Sequence, residues 1–128
     1  MNEKILKIQD LTIALPKNAD RQFAVEDANL DVFKGEILFI VGESGSGKSV
    51  MTSAILNDIP KGLSVTSGSV MFNEKDILKL SQKELNKLRG ANISMIYQEP
   101  MAALNPSIRV GKQVDEVYAL HRPEINAE

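Results

Sequence analysis

The sequence predicts an α/β fold: a glycine-rich loop between a buried strand and an amphipathic helix, flanked by a small antiparallel β subdomain. Three observations carry this. Residues 37–41 (Ile-Leu-Phe-Ile-Val) are apolar without interruption, as in a parallel strand covered on both faces. A run rich in glycine and serine follows at once, and behind it Met51, Ala54 and Ile55 recur at helical spacing. Upstream, two stretches alternate apolar and polar residues with period two, the pattern of strands with one wet face.

Leu6 and Ile8, then Leu11, Ile13 and Leu15, alternate with a phase slip near Gln9-Asp10, where a bulge or turn fits. Residues 16–20, opening on Pro16, form a turn or loop. Phe23 and Val25, then Ala28, Leu30 and Val32, alternate again with a slip over Glu26-Asp27. Lys34-Gly35 is a turn before the apolar run. The helix should span about 48–58 and stop at Pro60-Lys61-Gly62. Ser67-Gly68-Ser69 leads into a short strand at 70–72, followed by the turn Asn73-Glu74-Lys75-Asp76. Ser81-Gln82-Lys83-Glu84 fits a capping box ahead of a short helix striped by Leu85 and Leu88. Residues 93–97 read as a second buried strand, residues 98–106 as a loop with two prolines. A last helix places Val110, Val114, Val117 and His121 on one face.

Composition narrows the function. A chain of 128 residues suits one small domain, and 43% apolar with 25% charged residues is ordinary for a folded protein. Lys plus Arg number 15 against 17 Asp plus Glu, a net charge of −2, which argues against nucleic acid as a partner. With no cysteine, disulfides, thiolate zinc sites and cysteine nucleophiles are excluded. A single histidine, His121, excludes multi-histidine metal sites. The longest apolar run is far short of the ~20 residues a membrane helix needs. Charges near the N-terminus occupy the place of a secretory signal's apolar segment, so a cytoplasmic location is expected.

Residues 42–49 read Gly42-Glu43-Ser44-Gly45-Ser46-Gly47-Lys48-Ser49, a full match to the phosphate-loop pattern G-x-x-x-x-G-K-[ST]. The pattern has a mechanism. Glycines let successive amides face phosphate oxygens without an obstructing Cβ. Lys48 supplies a compact positive charge, and the Ser49 hydroxyl is a hard oxygen ligand suited to Mg²⁺. The helix starting here adds its positive end and the free N–H groups of its first turn, as far as Val50. Chance would produce this match in about four of a thousand chains of this length. The strand-before, helix-after context sharpens it. The dinucleotide pattern G-x-G-x-x-G fails, because Val50 stands where its third glycine should be.

From Gly35-Glu36 through the phosphate loop and Ser67-Gly68-Ser69 to Met95-Ile96-Tyr97-Gln98-Glu99-Pro100, the chain resembles the ATP-binding subunits of ABC transporters. The stretch from Gln98 to Pro106 (Gln-Glu-Pro-Met-Ala-Ala-Leu-Asn-Pro) is similar to the Q-loop of the dipeptide, oligopeptide and nickel importer branch. The resemblance covers about residues 5–117. It implies that Gly42, Glu43, Ser44, Gly45, Ser46, Gly47, Lys48, Ser49 and Val50 hold ATP, and that Ser49 and Gln98 ligand Mg²⁺. Lys48 and Gln98 are then the catalytic candidates, Gln98 through the attacking water. The implied partners are transmembrane permease subunits, a second ATP-binding subunit in a homo- or heterodimer and, indirectly, an extracytoplasmic substrate-binding protein. The implied location is peripheral, on the inner face of the cell membrane.

Two departures stand beside the resemblance. Many ABC ATPases stack adenine on an aromatic residue at the end of the first strand; here that register holds Leu15, and Phe23 is the candidate substitute. The family's signature motif, Walker B strand and switch histidine lie beyond the Q-loop, where this sequence stops. The expected architecture is therefore a P-loop core, incomplete before the signature motif and Walker B, in the N-terminal part of one nucleotide-binding domain at residues 1–128. Such a piece should bind nucleotide at most and expose a sheet edge. Rival readings are a soluble ABC protein outside transport and another P-loop enzyme such as a nucleotide kinase. Arg21, Arg89, Arg109 and Arg122 are scattered without the cluster a kinase lid would need. The run Lys75, Lys79, Lys83, Lys87 and Arg89 reads as a solvated face.

Overall fold

The computed structural model describes residues 3–124, which fall into two compact units divided between Ser81 and Gln82. The first unit is built on an antiparallel sheet of order β2-β1-β3-β4. Strand β1 spans Lys4–Ala14, β2 Phe23–Phe33, β3 Ser64–Phe72 and β4 Lys75–Asp76. The helix α1, Lys48–Ile55, lies between β2 and β3 in sequence, and a 3₁₀ turn, Ile77–Lys79, follows β4.

The two phase slips are real features of the ribbon. The register shifts between the pairs Ile8↔Leu30 and Leu11↔Ala28, and Asp10 and Asp27 take φ of 49° and 46°. The extra residue restores phase, so Leu6, Ile8, Leu11 and Ile13 all stay buried on one face. Side chains fix the irregularity: Asn29 Oδ1 accepts from the Asp10 N–H at 3.0 Å, and Thr12 Oγ1 from the Asp27 N–H at 3.1 Å. Ala24, Val25, Ala54, Leu56, Val70 and Ile77 complete the core of this unit.

Strand β3 starts six residues earlier than the sequence suggests. Ser64, Val65 and Ser67 pair with Ala14, Ile13 and Thr12, because β1 offers a second hydrogen-bonding edge along its whole length. Gly68 marks a bulge in that strand. Its φ is +89°, and a Cβ there would lie 2.5 Å from the Asp10 carbonyl oxygen. Asn73 and Glu74, at φ 43° and 66°, make the two-residue turn joining β3 to β4, as a type I′ hairpin requires. Helix α1 ends at Ile55, not near Asp58. Asn57 adopts φ 50°, and the Asp58 N–H donates to the Ser53 carbonyl at 3.0 Å, closing a Schellman motif before the Pro-Lys-Gly stop signal is reached.

The larger correction concerns the two apolar runs. Residues 37–41 form no strand, and Val41 is 91% exposed. Residues 93–97 likewise form no strand beyond an isolated bridge between Arg89 and Ile93, and Ile96 is 90% exposed. An extended segment becomes a strand only when a neighbour accepts its N–H and donates to its C=O. Among the described residues no strand pairs with either run; the main chain of Ile93 bonds instead to Gly90 and Leu88, at 2.8 and 3.2 Å. Exposed apolar stretches of this kind favour association. The 128-residue chain in solution should therefore bind a hydrophobic dye and sediment with a concentration-dependent mass. A dye-silent monomer that unfolds cooperatively would contradict this.

The second unit contains α2, Gln82–Leu88, α3, Pro100–Ala103, and α4, Val110–His121. Helix α2 begins directly after Ser81 and carries Glu84 in its first turn. The two-proline loop is less irregular than expected, since Pro100 opens the single turn α3 from the first helical position. The valines of α4 are exposed, while half-buried His121 lies over Gly90, where an added Cβ would sit 2.7 Å from Nε2.

Candidate functional site: the loop of residues 42–49

The glycine-rich segment connects the apolar run 37–41 to the first turn of α1. Its middle is a turn in which the Ser46 N–H donates to the Glu43 carbonyl at 3.2 Å. Gly47 stands at the helix N-cap with φ 93° and ψ 1°. A Cβ at that position would lie 2.2 Å from the Ala24 carbonyl oxygen in β2 and 3.2 Å from Val25 Cγ2. Only glycine combines that backbone conformation with so close an approach to the sheet.

The end of α1 that meets the loop is electrostatically bare. No side chain caps it, and its first turn holds no acidic residue. The first backbone bond of the helix is from the Met51 N–H to the Gly47 carbonyl, at 2.9 Å. The amides of Lys48, Ser49 and Val50 are therefore the unsatisfied donors of the first turn. The Lys48 ammonium folds over the loop and donates to the Gly42 carbonyl at 2.7 Å, the Glu43 carbonyl at 2.6 Å and Ser46 Oγ at 3.2 Å. Helix end, free amides and ammonium thus meet at one place, a donor set that fits a polyanion. Ser49 is exposed at the second position of the helix, as a hydroxyl reaching a hard cation beside that anion would need to be.

A cavity of about 450 Å³ adjoins the loop, and Phe23, Val25, Gly42, Ser46, Lys48 and Met51 are among its lining. Phe23 is half-buried and paired with Ala14 across the ribbon. The structure therefore brings Phe23 together with Gly42, Ser46, Gly47 and Lys48, while Glu43, Ser44 and Gly45 form the exposed outer part of the loop. Gln98 belongs to the second unit. It is exposed beside α3 and borders a cavity of about 530 Å³ with Tyr97, Glu99, Ala102 and Ala103. Among the described residues no cluster of histidine and carboxylate ligands could hold a metal, so a cation here would depend on hydroxyl and amide oxygens and on its anion.

The profile of the family described as ABC transporter matches residues 25–127. The chain belongs to the ABC transporter family. Among its relatives are the dipeptide transport ATP-binding protein DppD of Bacillus subtilis (strain 168), 43% identical over 94% of this chain and 36% of that protein. The oligopeptide transport ATP-binding protein OppD of Escherichia coli (strain K12) is 43% identical over 98% of this chain and 37% of that protein. The chain thus spans about a third of the length of these relatives. In fold it is similar to the ATP-binding cassette MJ0796, solved as a dimer bound to ADP and Pi. The TM-score is 0.61 at 23% identity, over 88% of this chain and 53% of that one. The family's expected P-loop architecture with an antiparallel β subdomain therefore stands, although the two apolar runs are not paired as strands.

Two contacts at these sites carried no sequence signal as functional residues. Arg21 donates from Nη2 to the Gly45 carbonyl at 2.5 Å. Gln113 in α4 staples the segment after α3: its Nε2 donates to the Asn105 and Ile108 carbonyls at 3.1 and 2.8 Å, and its Oε1 accepts from the Asn105 N–H at 3.0 Å. Asn105 in turn accepts from the Ser107 N–H at 2.9 Å, an Asx turn that Asn-Pro-Ser could have announced.

Proposed function

We propose that these residues are the N-terminal portion of the nucleotide-binding domain of an ABC importer ATPase, which couples ATP binding and hydrolysis to peptide uptake. The observation that supports this most is the uncapped end of α1, with the Lys48 ammonium gathered on the loop in front of it. In this reading the amides of residues 45–50 and Lys48 hold the phosphates, and Ser49 and Gln98 ligand Mg²⁺, which neutralises charge on the phosphate oxygens. Phe23, on the cavity beside the loop, is the candidate contact for the base. Peptides are the favoured cargo because the relatives' names specify dipeptide and oligopeptide transport.

The partners in this reading are those the family resemblance implies: permease subunits in the membrane, a second ATP-binding subunit, and through the permease a substrate-binding protein outside. Among the described residues no helix is long and apolar enough to cross a membrane, so attachment would run through the permease. The exposed stretch 101–106, held by Gln113, is the candidate docking segment. Calorimetric titration with Mg-ATP should show saturable binding that inorganic tripolyphosphate displaces; no heat and no displacement would overturn the reading.

Gln98 gives a separate test. In the assembled transporter, Gln98→Ala should leave ATP affinity nearly unchanged while hydrolysis falls by roughly a hundredfold to a thousandfold, the loss typical of removing one positioned dipole. An unchanged hydrolysis rate would remove Gln98 from the mechanism.

A further inference from the structure

The β1–β2 hairpin is tied to the phosphate loop by a contact whose consequence lies in peptide geometry. Arg21 sits in the hairpin connection, whose base is closed by the Leu15 N–H donating to the Gln22 carbonyl at 2.9 Å. From there its guanidinium reaches the Gly45 carbonyl oxygen at 2.5 Å, a charge-assisted bond. A trans peptide is planar, so its C=O and N–H point in opposite directions. Holding the Gly45 oxygen toward Arg21 turns the Ser46 N–H the other way.

That N–H points to the Glu43 carbonyl at 3.2 Å, the same oxygen that accepts from Lys48 Nζ at 2.6 Å. Two donors, one of them charged, converge on one oxygen, which is the arrangement a phosphate oxygen would meet. The amide bond is the longer and weaker of the two and exchanges more readily. It can pass to an anion as long as the peptide keeps its plane.

We propose that Arg21 is a positioning residue of the phosphate loop: its bond to the Gly45 carbonyl fixes the 45–46 peptide so that the Ser46 amide and the Lys48 ammonium converge on a bound phosphate. This rests on the phosphate-binding reading of residues 42–49. Arg21 acts through the loop backbone and not through the base, so its effect should be blind to the nucleoside.

The test compares the intact protein with Arg21→Ala, Arg21→Lys and Arg21→Gln, measuring affinity for Mg-ATP and for inorganic tripolyphosphate. Amide hydrogen exchange at residues 44–47 is followed without ligand. Arg21→Ala should weaken both ligands about equally, by roughly tenfold, the scale of one lost charge-assisted bond. Its Ser46 amide should exchange faster while the melting temperature holds, since Arg21 is exposed and outside the core. Arg21→Lys should recover most of the affinity and Arg21→Gln part of it. Unchanged affinity for both ligands, unchanged exchange at Ser46, or failure of Arg21→Lys to recover binding would each overturn the proposal. So would a loss confined to ATP, which would place Arg21 on the nucleoside. If the unaltered protein binds neither ligand, the reading of the loop itself fails.

Discussion

Replacing Lys48 with alanine is expected to abolish nucleotide binding while leaving the fold intact. The ammonium is a compact charge with three donors, and in this structure it spends them on oxygens of its own loop. A triphosphate offers stronger acceptors at the same place, so the ammonium can shift from carbonyl to phosphate without leaving the cradle. Hydrogen bonds to a charged partner contribute about 1.5–3 kcal/mol each, so losing two removes at least a hundredfold in affinity. Nothing comparable is lost from stability. Lys48 is only half-buried and is not one of the buried core residues. Calorimetry with Mg-ATP together with thermal unfolding checks both halves. Retained affinity, or a collapse of the fold in parallel with lost binding, would contradict this account of the loop.

How far these features could be read from residues alone depended on whether their cause was local. The phosphate loop was legible because each of its positions has a local reason: positive φ at Gly47, a charge at Lys48, an uncapped helix behind it. The bulges at Asp10 and Asp27 were legible too, since a phase slip in a period-two pattern has no other easy explanation. Residues 37–41 show the opposite case. Their composition does report a segment made for burial, but composition cannot supply the neighbouring strands that burial needs, and the run lies open. Strand β3 is longer than its pattern suggests because Ser67-Gly68-Ser69 reads as a turn, while Ser64, Ser67 and Ser69 pair with β1 through main-chain bonds. Arg21 and Gln113 were invisible for a further reason. Each binds a backbone carbonyl, 24 residues away for Arg21 and eight and five away for Gln113, and a carbonyl leaves no mark on residue type.

Gly47→Ala should be the more damaging substitution, because it strikes the loop and the sheet together. The new methyl group would stand 2.2 Å from the Ala24 carbonyl oxygen, and that oxygen is main chain in β2, unable to rotate away. The left-handed conformation adds about 1–2 kcal/mol for any residue with a Cβ. The loop must therefore lift off β2 or abandon φ 93°, and either change redirects the Lys48, Ser49 and Val50 amides. Loss of phosphate binding as complete as in Lys48→Ala follows, now with a fall in melting temperature of several degrees, at ~4–8 °C per kcal/mol for a small domain. Gly45→Ala separates strain from collision. Gly45 also has positive φ, at +79°, yet nothing lies within 4 Å of its added Cβ. It should show strain alone and a distinctly smaller loss of both stability and binding. Equal effects at the two glycines would mean that the contact with Ala24 does not hold the loop in place. A Gly47→Ala protein that melts normally and binds Mg-ATP would show that the loop can form without lying against β2.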